Sequence, residues 1–149
     1  MIIYVGYGFD VNDIPDEEWL KIVKNYDTAA CLNYTVPIRD ASWDWSQYTE
    51  EEQLEAALKF IDDNYDSDYA AYLCNIINRE EECDIVTQYD NYITFDSIAF
   101  IDDCRERVIR VPNKEAFIGL IAKYVNTIPI KFGPVWSGND WEEPNYFID

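Results

Sequence analysis

The sequence predicts an α+β fold: a single compact domain over residues 1–149, built as a mostly antiparallel sheet with three or four helices packed on it. Three observations carry that expectation. Apolar residues make up 48% of the chain and aromatic residues 16%, so the low hydrophobicity that keeps charged chains unfolded is missing. Short β-branched and aromatic runs are separated by Asp-Asn and Asp-Asp pairs where hairpin turns belong. Other segments carry apolar residues at i, i+3, i+4 and i+7, the period of a helix face. At 149 residues a chain buries roughly two thirds of its unfolded surface, enough for one core.

Taken in order, Ile2 to Tyr7 reads as a first strand that Gly6-Tyr7-Gly8 closes in a turn. Those glycines invite a nucleotide-binding reading, but the third glycine of such a loop falls at Val11, and Pro15 interrupts the helix that should follow. Asp16 to Tyr26 places Trp19, Ile22, Val23 and Tyr26 at helical spacing. Its acids come first and Lys21 and Lys24 later, the order that suits the helix dipole. In Thr28 to Ser46, Pro37 and a mixed pattern predict an extended segment and loop, with a strand at Leu32 to Ile38. Thr49-Glu50-Glu51-Glu52 is a capping box, followed by Leu54, Ala57, Leu58 and Ile61 on one face. A helix from Glu50 to about Asp63 follows, with Glu51, Glu55, Lys59 and Asp62 outward.

After a break at Asn64 to Asp66, a helix from Ser67 to about Asn78 is expected to bury Tyr69, Leu73, Ile76 and Ile77. Asp84 to Tyr89, Tyr92 to Ile101 and Arg105 to Val111 read as strands, joined by turns at Asp90-Asn91 and Asp102-Asp103. Pro112-Asn113 opens a helix from Lys114 to Val125 with Phe117, Leu120, Ile121 and Tyr124 inward. Ile128 to Phe132 reads as a last strand, and 133–149 as an irregular aromatic and acidic tail carrying Trp136, Trp141, Tyr146 and Phe147.

Histidine is absent, which removes the usual general base, the Cys-His and Ser-His nucleophile pairs and most catalytic zinc sites. Carboxylate chemistry remains, but with thirty Asp and Glu residues nearness in sequence does not define a tuned pair. A non-enzyme with no cofactor is expected. Asp62, Asn64, Asp66 and Asp68 are spaced like the first four ligands of a calcium loop. The position that needs Gly is Ser67, and the one that needs a bidentate Glu is Leu73, so no metal is expected either. Cys31, Cys74, Cys83 and Cys104 form no paired motif and read as reduced core residues. With no basic leader and no long apolar run, the expected location is cytoplasmic, without a membrane partner.

Charge is the strongest functional signal. Thirty acids against eleven bases give a net charge of -19, which excludes ordinary binding to phosphate backbones, since that runs on clustered Lys and Arg. From Asp40 to Tyr72 ten acids meet one base, Lys59, among Trp43, Trp45, Tyr48, Phe60, Tyr65, Tyr69 and Tyr72. Carboxylates three or four residues apart on a helix stand about 5–6 Å from each other, near the spacing of phosphates along a nucleic-acid strand. The plain alternative is a solvated face that keeps a small protein soluble. Against it stand the poor local compensation and the aromatic residues beside the charge, which protein interfaces use as anchors. The candidate partner-binding residues are Asp44, Glu51, Glu55, Asp62, Asp63, Asp66, Asp68, Trp43 and Trp45, helped by the Trp136 to Trp141 tail; none is catalytic.

In size, charge and acidic helices on a compact body, the chain resembles small phage-encoded inhibitors that mimic nucleic acid: acidic anti-CRISPR proteins, anti-restriction proteins and uracil-glycosylase inhibitors. The resemblance lies in composition and covers no single position. It implies a non-catalytic inhibitor, working in the cytoplasm of a bacterial host cell, whose Glu51, Glu55, Asp62, Asp63, Asp66 and Asp68 enter the basic channel of a nuclease or guide-RNA effector. Immunity proteins that neutralise nuclease toxins share the profile, and genomic neighbours separate the two. A carboxylate- or metal-dependent enzyme is the third class, and it requires a concave pocket with two acids of separated pKa.

Overall fold

The structure is a computed structural model that describes residues 2–35, 43–89, 91–95, 98–102, 105–108, 114–125 and 133–137. Helices dominate it: α1 (Asp16–Tyr26), α2 (Thr28–Thr35), α3 (Glu50–Asn64), α4 (Tyr69–Glu81) and α5 (Lys114–Ala122). The strands are β1 (Ile2–Asp10), β2 (Val86–Tyr89), β3 (Tyr92–Phe95), β4 (Ile98–Asp102), β5 (Arg105–Val108) and β6 (Gly133–Ser137). The expected mostly antiparallel-sheet domain with three or four helices is therefore corrected. The described residues are mostly helical, with five helices among them. The part of the core whose side chains are described lies chiefly between helices. Among the core residues described, only Phe9, Val86 and Ile93 come from strands.

The largest single reversal is α2, which forms where a strand was expected at Leu32 to Ile38. Its β-branched ends are accommodated because their hydroxyls find main-chain acceptors, Thr28 donating to the Lys24 carbonyl of α1 and Thr35 to the Cys31 carbonyl one turn back in α2. Cys31 and Leu32 then pack inward. The rest of that expected strand, residues 36–38, lies outside the described residues.

α1 runs over the span its periodicity predicts, with Trp19, Ile22 and Val23 buried. α3 begins at the predicted capping box: the Thr49 hydroxyl accepts from the Glu52 N–H, and the Glu52 carboxylate accepts from the Thr49 N–H, each at 3.2 Å. Its buried stripe is turned from the predicted one. Ala56, Ala57, Phe60 and Ile61 are buried while Leu54 and Leu58 are only half-buried. The Phe60 ring sets that rotation, meeting Tyr72 edge-on at 6.2 Å and Tyr34 at 6.1 Å. Such ring pairs add to the gain from area alone. α4 starts at Tyr69 rather than Ser67, because Asp66 and Ser67 take left-handed conformations, φ 52° and 60°, which do not continue a helix.

β1 pairs antiparallel with β3 and β4 in one unbroken register, from Asp10 opposite Tyr92 to Ile2 opposite Phe100, so β3 and β4 lie end to end beside it. β6 lies along β1, with Tyr7 opposite Pro134 and Gly8 opposite Gly133. Two corrections follow. Gly6-Tyr7-Gly8 is strand and not a turn, since two-sided pairing outweighs the weak strand preference of glycine. Gly133 to Ser137, expected as irregular tail, is strand as well. The expected strand at Ile128 to Phe132 and the tail from 138 onward, Trp141, Tyr146 and Phe147 included, lie outside the described residues. On the helical side, Asn78 ties α4 to β2. Its amide donates to the Val86 carbonyl and its carbonyl accepts from the Ile85 and Val86 N–H groups, all at 3.0 Å.

Candidate functional site: an acidic corner between α3 and α4

α3 and α4 meet at a tight turn closed by the Ser67 N–H on the Asp62 carbonyl, 3.0 Å, and the Asp68 N–H on the Tyr65 carbonyl, 2.8 Å. The candidate residues divide by what they touch. Glu51, Glu55 and Asp66 are exposed and make no ion pair or side-chain hydrogen bond among the described residues. Asp62 and Asp63 hold tyrosines: Asp62 accepts from the Tyr69 hydroxyl at 2.8 Å, and Asp63 accepts from the Tyr34 hydroxyl with Lys59 Nζ 3.9 Å away. Asp44 and Asp68 are caps. Asp44 takes the Ser46 N–H at 2.9 Å and the Ser46 hydroxyl. Asp68 takes the Ala71 N–H at 3.0 Å and the Gln88 amide through both oxygens, at 2.9 and 2.8 Å.

The two tryptophans differ in the same way. Trp43 is 38% exposed and rests on Tyr48, ring centres 5.7 Å apart. Trp45 is half-buried against the core, and its Nε1–H donates to the Thr28 hydroxyl at 3.1 Å. Side chains in β6 are not described, so Trp136 has a place in a strand and no described contacts.

Every base whose side chain is described already has an acceptor. Lys21 is bonded to Glu18 at 3.1 Å, Arg79 to Asp27 at 2.9 Å and Lys123 to Glu81 at 3.0 Å. Lys24 donates to Gln53 at 3.0 Å and stands 5.6 Å over the Trp45 ring. Lys59 lies against Asp63. None of them neutralises Glu51, Glu55 or Asp66.

α1 and α3 run in opposite directions. Lys24, late in α1, reaches Gln53, early in α3, while Asp16, at the start of α1, acts on the Tyr69 hydroxyl that holds Asp62. Burial first, then the Asp62 hydrogen bond and the charges of Asp62 and Asp16, push the Tyr69 phenol well above its ordinary pKa. The Tyr34 phenol is raised mainly by its bond to Asp63. Between α1 and the first turns of α3 lies an open groove of about 420 Å³.

A second carboxylate site was not legible in the sequence. Asp27, 9% exposed, ends α1 with its N–H on the Val23 carbonyl, 2.8 Å, and its own carbonyl receives the Cys31 N–H of α2, 2.9 Å. Its side chain takes the Tyr72 hydroxyl at 2.8 Å and Arg79 Nη1 at 2.9 Å, while Arg79 Nη2 donates to the Tyr26 carbonyl at 3.0 Å. This is a helix-joining lock. Burial, then the bond to Asp27, drives the Tyr72 phenol far up, and burial with the Asp27 charge pushes the Cys31 thiol up to about 12.

Among the described residues no three His, Cys, Asp or Glu side chains gather as metal ligands. Of the calcium-like carboxylates, Asp62 and Asp68 are committed to Tyr69 and to the start of α4. Cys31 is buried, Cys74 half-buried and Cys83 exposed, so Cys83 is not the core residue expected of it; Cys104 lies outside the described residues. No described helix is long and apolar enough to cross a membrane.

No family model, curated protein or solved structure matches this chain. The function has to be read from the corner itself, a capped helix with unneutralised carboxylates on its outer side.

Proposed function

We propose that the protein is a non-catalytic inhibitor that presents the outer side of α3 and the α3–α4 turn to a basic nucleic-acid-processing protein in the cytoplasm, such as a nuclease or guide-RNA effector. The observation that carries this reading is the separation of roles on the corner: its base, Lys59, is taken by Asp63, while Glu51, Glu55 and Asp66 are exposed and unpaired among the described residues. Glu51 and Glu55 are one helical turn apart, about 5–6 Å between side-chain bases. A groove lined with Arg and Lys for phosphates accepts the same spacing of negative charge. Asp62 and Asp63 add to the field while holding tyrosines. Trp43, exposed and resting on Tyr48 ahead of α3, is the kind of residue that anchors interfaces.

The helix is fixed before it binds. Its first turn is capped, and its inner side is packed through Ala57, Phe60 and Ile61, so little ordering cost remains on association. A net charge of -19 steers a basic partner inward quickly and weakly at high salt.

Capture from bacterial lysate with the full chain as bait tests this. A basic nucleic-acid-binding protein retained at low salt, released as salt rises and displaced by nucleic acid is the expected outcome. Retention of nothing, or of a partner indifferent to salt and nucleic acid, refutes it.

A further inference from the structure

We propose that the groove between α1 and the start of α3 seats an arginine side chain of the basic partner, an inference that rests on the function proposed above. Its deeper part is Leu20, Gln53 and Leu54, all half-buried, and the exposed carboxylates along it are Glu17, Glu50 and Glu51. Those three carboxylates have no ion pair or side-chain hydrogen bond among the described residues. The groove also contains Lys21 and Lys24, but both are committed. Lys21 is bonded to Glu18 at 3.1 Å, and Lys24 is held by Gln53 at 3.0 Å and by the Trp45 ring.

An occupant that complements this groove brings apolar contact and positive charge on one side chain. Arginine does both. Its aliphatic stem lies on leucine surface while the head stays with the charge, and its planar guanidinium bonds carboxylates two oxygens at a time. Lysine brings a compact, strongly hydrated ammonium with less to gain from the leucines. Phosphates and acidic peptides are repelled by the three acids. Glu51 belongs both to the groove and to the outer side of α3, so an arginine seated here fixes how that side is registered on the partner, which charge alone does not.

The probe is a short peptide of alternating arginine and alanine, titrated at low salt into the isotopically labelled full chain and followed by amide chemical shifts. Parallel titrations use lysine, or neutral citrulline, in place of arginine. The expected result is movement of the Leu20, Lys24, Gln53 and Leu54 amides with the arginine peptide, weaker by about threefold with lysine and by about tenfold with citrulline. Glu17→Gln with Glu51→Gln, both at exposed positions, weakens the arginine peptide by about tenfold without changing the helical spectrum. If the arginine and lysine peptides move only amides from Glu55 to Asp66, the groove assignment is overturned and the acidic-corner function stands. If neither moves any amide, both fail. Groove shifts that grow with protein concentration and need no peptide assign the groove to a second copy of the chain and overturn the arginine assignment.

Discussion

Asp27, at the end of α1, and Glu55, inside α3, are both carboxylates, and the molecule uses them in opposite ways. Asp27 is withdrawn from water, and its carboxylate is taken by the Tyr72 hydroxyl and by Arg79. Glu55, with Glu51 and Asp66, is left in water with no partner among the described residues. Charge that is bonded on the inside ties the end of α1 to α4; charge on the outside that has no bond among the described residues gives nothing to the fold and is free to meet something else. Removing the first kind should therefore cost stability and leave the surface field nearly intact, and removing the second should do the reverse.

The largest effect is expected at the inner site. Arg79→Met leaves the buried Asp27 charge without its ion partner and should destabilise by about 2–4 kcal/mol, the upper end reduced because the arginine is partly exposed. Tyr72→Phe keeps the ring packing and deletes one bond to Asp27, costing about 1–2 kcal/mol. Asp68→Ala, which uncaps α4 and frees Gln88, should cost about 1–2 kcal/mol. Urea unfolding followed by circular dichroism ranks the three, and equal costs at Arg79 and at Glu55 would break the comparison.

Next in size is the response to pH. The Tyr69, Tyr72 and Tyr124 phenols are all raised above their ordinary value, burial being the first cause in each and a carboxylate bond the second. A raised folded pKa means stability that is complete below the unfolded value, about 10 for tyrosine, and is lost as pH climbs through the folded value. Cys31, held up to about 12, acts in the same direction. Unfolding on the alkaline side should thus be cooperative with the ionisation of these three phenols, and free ionisation of Tyr69, Tyr72 and Tyr124 near pH 10 in the folded protein would contradict it. On the acid side, Glu81 is lowered by its bonds to Lys123 and Tyr124. Its small contribution is present above about pH 4.3 and lost below.

The smallest stability effect is expected on the outside. Glu51→Gln, Glu55→Gln and Asp66→Asn together should change stability by no more than about 0.5 kcal/mol, as surface changes away from special features do. Asparagine suits position 66 because it tolerates the positive φ found there.

The sequence made the outer site easier to see than the inner one, and for a physical reason. α1 and α3 announce themselves through local signals: apolar spacing, first-turn acids and the Thr49 box with Glu52. Unpaired surface charge is visible in composition. Asp27, by contrast, joins Tyr72 and Arg79 across 45 and 52 positions, and no local pattern encodes such a contact. The strand expected at Leu32 to Ile38 follows from Pro37 and a mixed local pattern, neither of which carries the packing that selects a helix. In α2, the Thr35 hydroxyl bonds to the Cys31 carbonyl and that of Thr28 to the Lys24 carbonyl of α1, while Cys31 and Leu32 find a core, and that packing outweighs a weak propensity. The roles of individual acids were equally hidden. That Asp44 and Asp68 would be caps, and Asp62 and Asp63 tyrosine partners, depends on where the turns and Tyr34 and Tyr69 come to rest.

The decisive measurement is the affinity of the captured basic partner for the wild-type chain and for the Glu51→Gln, Glu55→Gln, Asp66→Asn variant at one salt concentration, with unfolding midpoints recorded beside it. The expected result is an affinity lower by about tenfold or more, from three lost charges at about 0.5 kcal/mol each, with an unchanged midpoint. Unchanged affinity, or a loss that only follows a loss of stability, contradicts a function carried by the unpaired carboxylates of α3 and its turn.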